Sequence, residues 1–138
     1  MGLQARFVGY RRGDDLADHY AAADLFAFSS VTETFGNVVL EALSSGLPVV
    51  ALRAGGVADI VRPGENGLLL EPEASPESFA RALITFVDDP ALRRRYADSA
   101  RTYALSQSWD AIMEALRDRY LKVIGREATR SASPALTA

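Results

Sequence analysis

Three short apolar runs, Leu25-Phe26-Ala27-Phe28, Pro48-Val49-Val50-Ala51-Leu52 and Leu68-Leu69-Leu70, alternate with stretches of helical spacing. Short strands separated by helices imply a parallel sheet, because a parallel pair needs a crossover connection. A fourth run, Gln4-Ala5-Arg6-Phe7-Val8-Gly9, reads as a strand ahead of these. The fold class that follows is α/β, a parallel-sheet half-domain of about four strands with helices at its C-terminal end.

Punctuation residues set the boundaries. The turn Tyr10-Arg11-Arg12-Gly13 leads from the first strand into a helix over 14–23 with Asp14 as its cap. The second strand covers 25–29. The helix that follows stops at Gly46, and Gly followed by Pro48 is a helix-ending pattern that opens the third strand over 48–52. Arg53-Ala54-Gly55-Gly56 is a turn, 57–62 a short helix, and Pro63-Gly64-Glu65-Asn66-Gly67 a turn cluster before the last strand over 68–71. Ser75-Pro76-Glu77 starts a helix to about residue 87, with a cap, a first-turn proline and an acid that complements the dipole. Asp89-Pro90 starts the next in the same way, and Ser108 caps a final amphipathic helix over 109–124 closed by Gly125. Residues 1–125 are expected to form one domain and 126–138 a disordered tail.

Composition narrows the function classes. A chain of 138 residues that is 49% hydrophobic with a net charge of −3 has enough material for one core. The weakly acidic balance argues against nucleic acid as a partner. No apolar run approaches the ~18 residues of a membrane span, and the start lacks a secretory pattern, so a cytoplasmic location is expected. With no cysteine and a single histidine, His19, there is neither a thiolate metal site nor a Ser/His nucleophile pair.

The candidate site lies in Ser29-Ser30-Val31-Thr32-Glu33-Thr34-Phe35-Gly36-Asn37-Val38-Val39-Leu40-Glu41-Ala42. Glu41 stands alone in an otherwise apolar helix, where a buried carboxylate needs a partner because removing it from water costs several kcal/mol. That partner is either a ligand or an internal cation such as Arg53 or Arg62. The order is strand, loop, helix, and in an open α/β sheet ligands bind where loops leave the carboxyl ends of strands. The helix start offers free N–H groups suited to phosphate. Gly36 permits close backbone approach, and Asn37 shares a face with Glu41 one turn later. One end of this helix suits phosphate; the acid suits hydroxyls. Gly55-Gly56 reads equally as a tight turn or as a contact for a bound ligand.

Four strands are few for a doubly wound domain, and no Gly-x-Gly-x-x-Gly precedes the first helix. The expectation is the second half of a nucleotide-binding domain, with its first part upstream. An exposed sheet edge would then offer backbone groups to another copy, making a homodimer reasonable.

Phe7-Val8-Gly9, Ala23-Asp24-Leu25-Phe26, Ser29, Glu33-Thr34-Phe35-Gly36, Glu41-Ala42, Gly46-Leu47-Pro48-Val49-Val50-Ala51, Gly55-Gly56, Asp59-Ile60-Val61 and Asn66-Gly67-Leu68-Leu69 together resemble a known family. This is the C-terminal donor-binding half of retaining nucleotide-sugar glycosyltransferases with the GT-B fold, the group 1 family of glycogen synthase-like, sucrose synthase-like and bacterial mannosyltransferase enzymes. The resemblance spans residues 7–124. It implies a Rossmann-like half-domain in which Glu41 accepts from the donor ribose and Glu33 lies by the transferred sugar as the catalytic carboxylate, which either attacks covalently or supports a front-face displacement. It further implies that the N–H groups of Phe35, Gly36, Asn37 and Val38 hold sugar hydroxyls and the diphosphate, and that the turn at Tyr10 borders the base. The implied reaction is hexosyl transfer with retention from a GDP- or UDP-linked sugar to an acceptor hydroxyl, with no cofactor and no metal. The family's diphosphate-clamping Arg and Lys, and its N-terminal acceptor domain, would lie upstream, so this chain is expected to be inactive alone. Alternatives are a noncatalytic interaction module or a sugar-nucleotide epimerase on the same fold. A phosphorylase is disfavoured because the only lysine, Lys122, falls in the final helix.

Overall fold

The computed structural model describes residues 4–131, with side chains through residue 125. Strands β1 (Phe26–Phe28), β2 (Val49–Leu52) and β3 (Gly67–Leu70) form a parallel sheet in the order β1-β2-β3, with Phe26 in register with Val49 and Val49 with Gly67. Helix α1 (Gly13–Ala21) precedes β1, α2 (Asn37–Ser44) joins β1 to β2, and α3 (Val57–Ile60) lies between β2 and β3. Helices α4 (Pro76–Asp88) and α5 (Pro90–Leu105) complete a unit that ends at Leu105, and α6 (Trp109–Ser131) belongs to a second unit.

All four residues of β2 are buried, and successive side chains of a strand go to opposite faces. Val49 and Ala51 join Val39, Ala42 and Leu43 of α2, Val57 of α3 and Ala100 of α5 in one cluster. Val50 enters the other cluster with Phe86 and Tyr96, whose rings meet edge-on at 5.0 Å between centroids. The central strand is thus covered on both sides, as expected for a parallel sheet.

Residues 4–9 correct the sequence expectation: they form no strand, and Phe7 is 97% exposed. Phe7 and Val8 are the only large apolar residues of that run, and β1 pairs with β2 alone, so nothing supplies the run with a ladder. The sheet therefore has three strands among the described residues, with β1 at one edge. Helix α1 also departs from expectation. Arg12 occupies the cap position without a side-chain cap, while Asp14 and Asp15 sit in the first turn near the positive end of the dipole.

Local signals at the other helix ends behave as the sequence suggests. Helix α2 closes with the Leu47 N–H bonded to the Ala42 carbonyl and the Gly46 N–H to that of Leu43, a Schellman pair. The Ser75 hydroxyl accepts from the Ser78 N–H at 3.2 Å, and Asp89 Oδ1 accepts from Ala91 and Leu92 at 3.0 and 2.9 Å. The Arg93 guanidinium donates to the Phe86 carbonyl at 2.9 Å and pairs with Asp24 at 3.4 Å, linking α5 to α4 and to the approach to β1.

Ser108 caps α6 through the Ala111 N–H at 3.2 Å. The helix then passes Gly125 and continues to Ser131, so it overrides the expected stop and takes in the first part of the expected tail. One glycine costs a helix interior only about 1 kcal/mol, and the Arg, Glu and Ala types that follow favour a helix. Residues 132–138 of that tail lie outside the described residues. No helix among the described residues is long and apolar enough to cross a membrane.

Phe86 is fully buried at the centre of its cluster. Phe86→Ala should cost about 3–5 kcal/mol in urea unfolding, whereas Ile84→Ala, at a half-exposed position of the same helix, should cost well under half as much.

Candidate functional site

The chain leaves the carboxyl end of β1 at Phe28 and reaches α2 through the loop that carries Glu33. Within this loop Glu33 Oε1 accepts from the backbone N–H of Phe35 at 3.3 Å and of Gly36 at 3.1 Å. Gly36 is the N-cap of α2, buried and left-handed at φ 74°, and its carbonyl accepts from Val39 and Leu40. The first N–H groups of a helix have no intrahelical acceptor. Those of Asn37 and Val38 find no acceptor elsewhere among the described residues. The loop thus uses two amides on its own carboxylate and leaves the next two free at the positive end of the helix dipole.

A close backbone approach holds this loop in place. A Cβ added to Gly55 would collide with the Glu33 carbonyl oxygen, and one on Gly56 would lie 2.7 Å from the Thr34 oxygen and 2.9 Å from the Phe35 carbonyl. Gly55 also has φ 49°, in the region that disfavours side chains. The pair is therefore the seat of the Glu33 loop, a role beyond the tight turn or ligand contact considered from sequence. No local pattern reveals it, because the loop it touches lies some twenty positions away in sequence.

Glu41 is exposed, which corrects the expectation of a buried acid. The buried residues of α2 are Val39, Ala42 and Leu43, at i, i+3 and i+4, and Glu41 falls off that face. The helical period carried this signal; the apolar composition of the run obscured it. Neither suggested arginine pairs with it. Arg53 bonds Glu71 at 3.1 Å, and Arg62 lies 3.6 Å from Glu65 with its guanidinium over the Tyr103 ring.

The partner of Glu41 is instead the Tyr20 hydroxyl, which donates to Oε2 at 3.2 Å. Tyr20 lies on α1 and packs its ring 5.9 Å from that of Phe26. The two side chains line a groove of about 240 Å³ between α1 and α2, together with Gly13, Leu16, Ala17 and Ser44. Sequence reasoning missed Tyr20 because its partner lies on another helix. Tyr10 does not line that groove; it is exposed, with the Arg12 guanidinium 4.8 Å from its ring centre. The structure thus gathers Glu33, Phe35 and Gly36 at the start of α2, with Asn37 and Val38 beside them, and places Glu41 one turn on.

Burial, the Glu41 charge and the hydrogen bond to it all hold the Tyr20 hydroxyl above the usual phenol value of 10.0. Burial also raises Tyr103, with Asp59 adding to the shift and Arg62 opposing it. Two outcomes follow. Both phenols favour the protonated form in the folded state, so their contribution is fully present below the ordinary phenol value and is lost as pH rises through the higher folded one. Urea stability should therefore be flat from neutral pH to about 9 and fall above the phenol value of 10.0, with a smaller fall in Tyr20→Phe. Gly56→Ala must displace the loop and should cost about 1–3 kcal/mol, as overpacking does. It should also shift the Phe35 and Gly36 amide resonances in ¹H–¹⁵N spectra.

Residues 2–103 match the family described as glycosyl transferases group 1. A GDP-mannose-dependent alpha-mannosyltransferase of Mycobacterium tuberculosis is 41% identical over 128 residues, which cover 93% of this chain and 33% of that protein. Sucrose-phosphate synthase from Thermosynechococcus elongatus superposes with a TM-score of 0.74 at 32% identity, over 88% of this chain and 30% of that one. HepE of Anabaena, in complex with UDP-glucose, gives a TM-score of 0.68 at 34% identity over 88% and 32% of the two chains. The chain spans about a third of each of these proteins. Similarity over nearly all of its described length, in sequence and in the path of sheet and helices alike, leads to one assignment: the chain belongs to the group 1 glycosyltransferase family and falls within the C-terminal half of its GT-B fold.

Proposed function

We propose that this chain binds a nucleoside diphosphate sugar along α2 and presents the hexosyl unit for transfer, with retention at the anomeric carbon, to an acceptor hydroxyl. The observation that carries the reading is the spacing on one helix. Free N–H groups on Asn37 and Val38 mark its positive end, and the exposed Glu41 carboxylate follows one turn later. Four residues at 1.5 Å rise span ~6 Å, a separation suited to a phosphate and the ribose hydroxyls attached to it.

In this reading the bond from the anomeric carbon to the diphosphate oxygen breaks, its electron pair leaves with the diphosphate, and negative charge grows there; the acceptor hydroxyl oxygen forms the new bond to that carbon and its proton passes to the departing diphosphate. The Asn37 and Val38 N–H groups stabilise that charge without having to reorganise. Glu33 lies by the sugar, where its carboxylate offsets the positive charge of the oxocarbenium-like state. Its Oε1 is already oriented by the Phe35 and Gly36 N–H groups, and those two amides serve the donor through the position they give Glu33. Glu41 accepts from the ribose hydroxyls, and Tyr10, at the turn before α1, borders the base. The relative named for GDP-mannose and the neighbour solved with UDP-glucose support a GDP- or UDP-linked donor. Relatives about three times as long support an acceptor site contributed by a further domain, so that the donor half binds but does not turn over alone.

Isothermal titration with GDP, UDP, GDP-mannose and UDP-glucose tests this. The wild-type chain should bind at least one of them. Glu41→Ala should weaken it about 10- to 100-fold, the equivalent of losing about 1.5–3 kcal/mol of charge-assisted hydrogen bonding. Absence of binding by all four, or an unchanged affinity in Glu41→Ala, would overturn the proposal.

A further inference from the structure

We infer that Tyr20 is a positioning residue for Glu41: its hydroxyl holds Oε2 so that Oε1 is presented to the ribose of the bound nucleotide. The inference rests on the ribose-binding role proposed for Glu41.

An exposed glutamate samples several rotamers, and fixing one on binding has an entropic cost. Glu41 has no cationic partner among the described residues to fix it. Tyr20 is better anchored. Its ring packs beside Phe26 against the buried cluster of α2 and β2, which sets the position of the hydroxyl. That hydroxyl has two acceptors within reach, the Val38 carbonyl at 3.5 Å and Glu41 Oε2 at 3.2 Å. The shorter contact also goes to the charged acceptor, the stronger of the two kinds. At 3.2 Å the bond is longer than the usual charge-assisted one.

The proton needed for this is secure, because burial and the Glu41 charge both disfavour the phenolate. Tyr20 and Glu41 reach the groove from opposite sides, one on α1 and one on α2. Engaging Oε2 from the α1 side leaves Oε1 unpaired among the described residues. A carboxylate oxygen so presented suits the paired hydroxyls of a ribose. A nucleotide without those hydroxyls gains nothing from it.

The experiment is a titration of the full chain with GDP and UDP and with their 2′,3′-dideoxy counterparts. It compares wild type, Tyr20→Phe, Glu41→Ala and the double variant. Tyr20→Phe keeps the ring and its packing and removes only the donor. It should lower affinity for the ribonucleotides roughly threefold to tenfold, the scale of one hydrogen bond, and leave affinity for the dideoxy forms unchanged. In the Glu41→Ala background it should have no further effect. An equal loss for ribo and dideoxy forms, no loss at all, or a loss that persists without Glu41 would overturn the inference. If the wild type prefers ribonucleotides and Glu41→Ala removes that preference while Tyr20→Phe keeps it, the inference alone fails. If the wild type does not distinguish the two forms, or binds neither, the ribose-binding role of Glu41 fails and the inference with it.

Discussion

The main chain of residues 33–35 rests on Gly55 and Gly56 with no side chain between them, and the geometry of the site depends on that contact. It seats the loop on the turn that follows β2, with Glu33 at the start of α2. There the amides of Phe35 and Gly36 bind its carboxylate. Helix α2 is itself pinned by Val39, Ala42 and Leu43 in the core. The loop is thus placed by backbone packing and the helix by burial, and the two meet at Gly36. The seat is made of main chain on main chain, so a Cβ at either glycine would push the loop off it.

The two acids sit in different settings. Glu33 is held by amides of its own loop, an interaction short in sequence and fixed by the turn. Glu41 is held by a phenol on a different helix, an interaction that exists only because α1 packs across from α2. The first is a property of the segment and the second of the tertiary fold. This difference fits the roles proposed for them. A group beside a reacting sugar gains from rigidity, while a group that grips a ribose gains from having one oxygen steered and one open.

Local chemistry was legible in the sequence. The stop at Gly46, the caps at Ser75, Asp89 and Ser108, and the runs that became β1, β2 and β3 each depend on residues within a few positions of one another. Features that depend on distant partners were not. Residues 4–9 have a strand-like pattern, yet a strand needs a neighbour, and β1 pairs only with β2. Glu41 looked buried because the run around it is apolar, while the helical period turns it outward. Gly125 looked like a stop, but its cost in a helix is small enough for the residues after it to outweigh. Tyr20 and the seat formed by Gly55 and Gly56 left no local mark, since each acts on a segment far along the chain.

Only Ser45, Gly46, Leu47 and Pro48 separate the end of α2 from Val49, and the Schellman pair leaves them little slack. Val49 and Val50 open a strand buried on both faces, so the helix carrying the candidate site and the most protected strand are mechanically one piece. A guest at the start of that helix would brace the innermost part of the domain as well as its rim. Occupancy would then register as slower amide exchange throughout β2, because the two cannot come apart independently.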